Sequence, residues 1–243
     1  MSDRFFIAQP ITTESVTLDG PEAHHLLHVM RGAAGTPITL FDNSGDEFEA
    51  VVETARRSDA IVRILERRET SRELPFSLVA GVALPKGDRQ KWLVEKLTEL
   101  GVTMLVPLDT ERGVAQPTAN AAERLQRSVI EAAKQCGRNK LMGIADPQPW
   151  DDWTNSNVGC LESSANQPPA APRRLLAHPG GTQFQDIDLN TPTATAFAIG
   201  PEGGFTEAEV AVAVATGWQQ VALGPRILRV ETAAIALAAA IAL

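Results

Sequence analysis

The residues best suited to chemistry in this chain stand in two glycine-bearing segments near its carboxyl end. The first is Ile199-Gly200-Pro201-Glu202-Gly203-Gly204-Phe205-Thr206-Glu207. Its glycines leave backbone N–H and C=O groups bare, so a flat ligand can approach the main chain closely. Glu202 adds one carboxylate, able either to take a proton or to brace the loop. The second segment is Leu223-Gly224-Pro225-Arg226-Ile227-Leu228-Arg229-Val230-Glu231-Thr232. Here apolar and cationic residues interleave, and Arg226 and Arg229 can offer guanidinium groups to a phosphate or a carboxylate. Glu231 and Thr232 also suit the first turn of a helix. Neither segment has the Gly-Lys-Ser/Thr ending of a phosphate loop, and the G-x-G-x-x-G spacing of a dinucleotide fingerprint is missing.

Such loops work only where strands and helices hold them. Residues 194–199 form an apolar run predicting a strand before the first segment, and 206–216 predict a helix after it. Residues 220–223 predict a strand before the second segment, and a last helix follows. Upstream, the pattern alternates: strand 76–84, helix 88–100 ended by Gly101, strand 102–108, helix 121–136 and strand 174–177, which His178-Pro179-Gly180-Gly181 is expected to end in a turn. This βα alternation predicts a mostly parallel sheet with helices on both faces. Three turns, at His178, Gly200 and Leu223, follow strands, and ligands bind outside the strand carboxyl ends of such sheets.

The first seventy residues differ. Short apolar segments at 4–7, 15–18, 38–41, 48–52 and 60–65 are separated by turn residues and predict a small barrel or sandwich, with one helix over 21–31. The charged run from Glu66 to Glu73 is taken as the domain boundary. Residues 146–172, rich in Pro, Asn, Ser and Asp, predict a long surface loop with a short strand at 158–161.

The chain has 243 residues, 44% of them hydrophobic, with a formal net charge of −8. It is long enough for a sizeable core, and no uncharged apolar stretch is long enough to span a bilayer. No secretory leader is visible in residues 1–20. Cys136 and Cys160 lack metal spacing, which suits free thiols in a reducing cytoplasm. His24 and His28 stand four apart beside His25, without a carboxylate or cysteine partner at metal spacing, so no metal is expected. Only the section 84–140 holds more Lys and Arg than Asp and Glu. It carries Lys86, Arg89, Lys91 and Lys96 at the start and on one side of one helix, and Arg124, Arg127, Lys134, Arg138 and Lys140 on or just after the next. A polyanion would contact that section.

These segments together resemble the bacterial 16S ribosomal RNA uracil-N3-methyltransferases of the SPOUT class. The likeness runs from Arg4-Phe5-Phe6 through His25-Leu26-Leu27-His28-Val29-Met30-Arg31, Leu84-Pro85-Lys86-Gly87-Asp88 and Glu111-Arg112. It continues through Glu131-Ala132-Ala133-Lys134-Gln135-Cys136-Gly137-Arg138 to the two glycine segments. Ser128 stands where tryptophan is common, and Met142-Gly143 replaces a usual proline.

The resemblance implies an α/β protein with a PUA-like β-barrel in residues 1–72 and a SPOUT domain, its sheet mostly parallel and its chain tied in a trefoil knot, in 73–243. It implies a cytoplasmic homodimer using S-adenosylmethionine (SAM) to methylate N3 of a uridine in 16S RNA, within the small ribosomal subunit. Cofactor contacts would come from Ala177, His178, Ile199, Gly200, Pro201, Glu202, Gly203, Leu223, Gly224, Ile227, Leu228 and Arg229. Catalytic roles would fall to Arg229, Arg138 and Glu202, and RNA contacts to Arg4, His25, Arg31, Lys86, Lys91, Arg112 and Arg138. Methylation of transfer RNA or 23S RNA, or a non-catalytic role in ribosome assembly, are the alternatives.

Overall fold

The computed structural model describes residues 3–113, 119–156, 172–189 and 191–243. Its first elements are β1 (Arg4–Phe6), β2 (Ser15–Leu18), α1 (Gly20–His24) continued by a π-helical segment (His25–Val29), β3 (Pro37–Phe41), β4 (Asp46–Ala55) and β5 (Ala60–Glu69). Next come β6 (Leu78–Val82), α2 (Arg89–Glu99), β7 (Met104–Asp109), α3 (Ala119–Cys136), β8 (Gly143–Ile144), β9 (Gln148–Pro149) and α4 (Trp150–Asn155). The chain then forms β10 (Arg173–Gln183), a 3-10 turn (Phe184–Asp186), β11 (Thr195–Ile199), α5 (Glu207–Ala215), β12 (Gln219–Ala222) and α6 (Val230–Ala242). Among the described residues, no helix is long and apolar enough to cross a membrane. The expected strand at 158–161 and Cys160 lie outside the described residues.

Two compact units result: Met1–Glu73 with Ile130–Leu141, and Leu74–Val129 with Met142–Leu243. A single cut at residue 72 gives all of α3 to the second domain, whereas the end of that helix and the stretch after it group with the first unit. Side-chain bonds explain why. Lys134 binds the Glu22 carboxylate at 3.1 Å, Asn139 donates to the Thr70 carbonyl at 2.9 Å, and Arg4 donates to Asn139 Oδ1 at 2.5 Å.

In the first unit the five strands run in the order β1-β3-β4-β5-β2, with β1 parallel to β3 and the other neighbours antiparallel. No pairing joins β1 to β2, so the sheet is a half-barrel rather than a closed one. On β4 the buried residues alternate (Asp46, Phe48, Ala50, Val52), which turns one face of the pleat inward. That face meets Phe5, Leu18, Leu40 and Val62, and the helical segment covers it with Ala23 and Leu26. The expected helix over 21–31 is α-helical only to His24. Beyond it the Met30 N–H reaches the His25 carbonyl, five residues back, at 3.0 Å, widening the turn. The charged run begins as strand: Glu66 to Glu69 continue β5 against β4, with Arg68 bonded to Glu49 at 2.6 Å.

Glu47 on β4 shows what the charges do here. Its carboxylate accepts hydrogen bonds from both Arg4 and Arg72 at 3.0 Å. Burial alone would raise its pKa, but the two guanidinium groups outweigh burial and hold it below the usual carboxylate range. Because the folded pKa lies below the unfolded one, this stabilisation is complete above the unfolded value and is lost as pH falls through the folded value. Acidification is therefore expected to lower the melting temperature of the wild type more steeply than that of Glu47→Gln. Parallel curves would remove Glu47 from the acid response.

Among the described residues of the second unit every strand pairing is parallel, in the order β12-β10-β11-β6-β7-β8, with β9 also on β7. One face carries α4 and α5 over a cluster of Trp150, Trp153, Phe205 and Trp218 packed on Val79, Leu176 and Ala198. On the other side α6 packs on β6 and β11, and α2 packs on α6. The surface loop expected from residue 146 is replaced, as far as residue 156, by β9 and α4, whose Trp150 and Trp153 are 3% and 2% exposed. The expected turn at His178-Pro179-Gly180-Gly181 is instead a bulge inside β10. Pairing with β12 is interrupted between Ala177 and Thr182 and then resumes. His178 Nδ1 accepts the Gly180 N–H at 3.1 Å and closes that bulge.

Candidate active site

Parallel strands put all their carboxyl ends on one edge. In this sheet β12, β10, β11 and β6 are consecutive neighbours, so the segments after Ala222, Ala177, Ile199 and Val82 emerge side by side. The register is tight: Ala177 lies opposite Val221, and Leu176 opposite Ala198. The Ala83 N–H bonds the Ile199 carbonyl at 2.9 Å, carrying the β6–β11 pairing one residue beyond the strand end. The two glycine segments are thus brought to one place by topology.

Their conformation is held from several sides. A side-chain carbon at Gly200 would lie 2.9 Å from the Phe205 ring and 3.2 Å from its amide nitrogen, so only glycine fits beneath that ring. Phe205 in turn stacks on Trp150, ring centres 4.3 Å apart. Thr206 caps α5 with a reciprocal box: its Oγ1 accepts the Glu209 N–H at 3.3 Å, while Glu209 Oε2 accepts the Thr206 N–H at 2.7 Å. The second oxygen of Glu209 accepts the Glu111 N–H at 2.8 Å, joining the loop after β7 to the start of α5. Beside it Arg112 Nη1 donates to the Gly203 carbonyl at 2.8 Å. The spacing of Thr206 and Glu209 was a readable signal for the box; the tether to Glu111 had none.

Arg89, in the first turn of α2, reaches both glycine segments. Its Nη2 donates to Glu202 Oε1 at 3.1 Å and its Nη1 lies 3.5 Å from Glu231 Oε2. Glu231 is 4% exposed, in the first turn of α6, where the helix N-terminus also favours an anion. Local charge patterning puts Arg89 with the cations that a polyanion would contact and gives no sign of these two carboxylates.

The expected cofactor residues divide by exposure. Ile199 and Pro201 are buried; Ala177, His178, Gly200, Leu223 and Leu228 are half-buried; Glu202, Gly203, Gly224, Ile227 and Arg229 are exposed. Ile227, 82% exposed, is an apolar side chain presented to solvent at this edge. Arg226, Arg229 and Lys86 are exposed and form no ion pair among the described residues. A separate cavity of about 520 Å³ lies beside α5, lined by Phe205, Val210, Val214 and Gln220, and it takes in only His178 of the expected set.

The expected RNA residues fare differently. Lys91 sits a helical turn from Glu95, 3.7 Å away. In the first unit, Arg4 is bound by Glu47 and Asn139, and the His25 ring lies 5.7 Å from that of Phe5. Arg138 is 3% exposed, its Nε and Nη2 donating to the two oxygens of Glu73 at 3.1 and 2.5 Å. Arg31 is exposed, with a left-handed φ of 58°. Among the described residues no cluster of three His, Cys, Asp or Glu side chains could hold a metal.

A model described as an RNA methyltransferase domain matches residues 72–242, and one described as an RNA methyltransferase PUA domain matches 18–65. The chain belongs to this RNA methyltransferase family. Its relatives include the ribosomal RNA small subunit methyltransferase E of Synechocystis, 34% identical over 96% of this chain and 75% of that protein. The Bacillus subtilis enzyme of the same name is 31% identical, over 89% and 85% of the two chains. A Neisseria gonorrhoeae ribosomal RNA small subunit methyltransferase E, solved with bound SAM, superposes with a TM-score of 0.84 at 30% identity, covering 99% and 96% of the chains. A Legionella pneumophila methyltransferase, also solved with SAM, gives 0.87 at 28% identity, covering 99% and 97%. The methyltransferase match contains every loop of the strand edge described above.

Proposed function

We infer that this protein transfers a methyl group from SAM to N3 of a uridine in 16S ribosomal RNA. The observation that carries the reading is similarity to ribosomal RNA small subunit methyltransferases over 89–96% of the chain, in which two glycine segments meet at one sheet edge. The residues there fit the cofactor's chemistry: bare backbone at Gly203 and Gly224 for polar adenine edges, and Ile227 with Leu228 for its apolar faces. Bound there, SAM supplies an electrophilic methyl carbon.

The chain's own residues orient the acceptor. We assign Arg229, exposed at the start of α6, to neutralise charge that grows on the uracil oxygens as the N3 proton passes to solvent water. Arg226 and Lys86 are open to phosphate and would hold the RNA backbone. Glu202 and Arg112 act as braces of the glycine loop, and Arg138 with Glu73 as a brace within the first unit. The target uridine must leave its stack to be reached. The first unit, with exposed Arg31, is the candidate RNA grip. A homodimer belongs to the same reading and is supported by Trp92 on α2, 45% exposed, a large apolar side chain that a second copy can cover. The trefoil knot and a cytoplasmic location are further parts of it.

The test uses small subunits from cells lacking the protein. Incubation with the purified protein and SAM is expected to create 3-methyluridine in 16S RNA, located by mass mapping. Methylation of transfer RNA or 23S RNA instead would replace the substrate, and methylation of nothing would refute the reading.

A further inference from the structure

We propose that Arg89 is a positioning residue for methyl transfer: a single guanidinium that sets the distance between the 200–204 loop and the 223–229 loop. The inference rests on the reading of the strand edge as the SAM site. Its observations are independent of that reading. Arg89 is anchored at the start of α2, whose first turn is fixed by Gln90 donating to the Pro85 carbonyl at 2.8 Å. From there one arm reaches Glu202 and the other Glu231, residues 113 and 142 positions away in sequence. Glu231 follows Arg229 by two residues in the first turn of α6, so the arm that holds Glu231 also holds the backbone that presents Arg229. Glu202 lies in the middle of the other loop. A planar guanidinium with diverging donors can span two carboxylates at fixed separation, which the point charge of a lysine cannot.

A purely structural role predicts something different. If Arg89 only neutralised buried Glu231, any cation would serve. Arg89→Lys, which keeps a cation near Glu231 but loses the span, separates the two ideas. Full-length wild type, Arg89→Lys, Arg89→Ala, Glu202→Gln and the double variant Arg89→Ala/Glu202→Gln are compared by melting temperature, by calorimetry with SAM, and by methyl transfer to small subunits.

We expect Arg89→Lys to keep the wild-type melting temperature yet to lose about a hundredfold in kcat at saturating SAM, the scale of a ~1 Å misplacement at a reacting centre. Its KM for the subunit should stay unchanged. We expect SAM affinity to fall about tenfold in Arg89→Ala and in Glu202→Gln, and the double variant to bind no worse than Arg89→Ala, because both act on one contact. Wild-type turnover by Arg89→Lys would overturn the proposal, and so would losses that multiply in the double variant. If Arg89→Ala fails to fold, Arg89→Lys and Glu202→Gln still decide it. Failure of the wild type to bind SAM would overturn the assignment of the site itself, an outcome separate from equal behaviour of wild type and Arg89→Lys.

Discussion

Gly181→Ala is expected to destabilise the protein by about 3 kcal/mol, the upper end for forcing an atom into a closed space, and to abolish measurable SAM binding. The β-carbon of an alanine there would lie 2.5 Å from the Gln220 carbonyl carbon and 2.5 Å from the Val221 nitrogen. Those are backbone atoms of β12, which cannot rotate aside as a side-chain end can. Relief requires β10 and β12 to part where pairing resumes at Thr182 and Val221. Parting there shifts Ala222 and the loop that follows it, so stability and ligand binding should fail together. Urea denaturation and calorimetry check it. A variant within about 0.5 kcal/mol of wild type, the range of ordinary surface changes, would mean that the bulge yields easily.

Trp153→Ala is expected to cost about 3–5 kcal/mol, as for other buried aromatic truncations. Trp153 lies on α4 with its ring centre 4.7 Å from that of Trp218. Its six-membered ring covers Gly81 of β6 so closely that a β-carbon there would be 2.4 Å from Cη2. Removing the indole leaves a void against a residue with no side chain to fill it, so collapse is hindered on that side. Trp218 also donates to the Thr154 carbonyl at 3.5 Å, so the loss extends to how α4 is seated. Chemical denaturation measures the cost. A value below about 1 kcal/mol, the centre for point changes generally, would show that α4 adds little to the core.

These two sites show where sequence patterns carry and where they stop. Apolar runs at 76–84, 102–108 and 194–199, each followed by a helical pattern, were enough to place β6, β7 and β11, and the wholly parallel sheet follows from that alternation. The glycine segments were visible because backbone exposure has a compositional mark. The bulge in β10 was hidden because Pro179-Gly180-Gly181 has the composition of a chain reversal, and only the partner strand reveals that pairing resumes. Helix α4 was hidden because six residues are too few to show a period, and Asp151, Asp152 and Asn155 give the stretch a loop's polarity. The π-helical turn at His25 has the same residues as an α-helical one and differs only in which carbonyl is reached. Long-range charge partners are the hardest case. Arg89, Arg112, Arg4 and Arg138 all have the sequence character of exposed cations, yet each is bound to a carboxylate or a carbonyl far away in the chain.

The strand order has a consequence for folding. The inner strand β10 has as one neighbour β12, which follows it in the chain after β11 and α5, and β12 leads straight into the segment bearing Arg229. Until β12 pairs, one flank of β10 is open. β12 therefore has to dock on that open flank before the segment bearing Arg229 takes its place near the loop that follows β11.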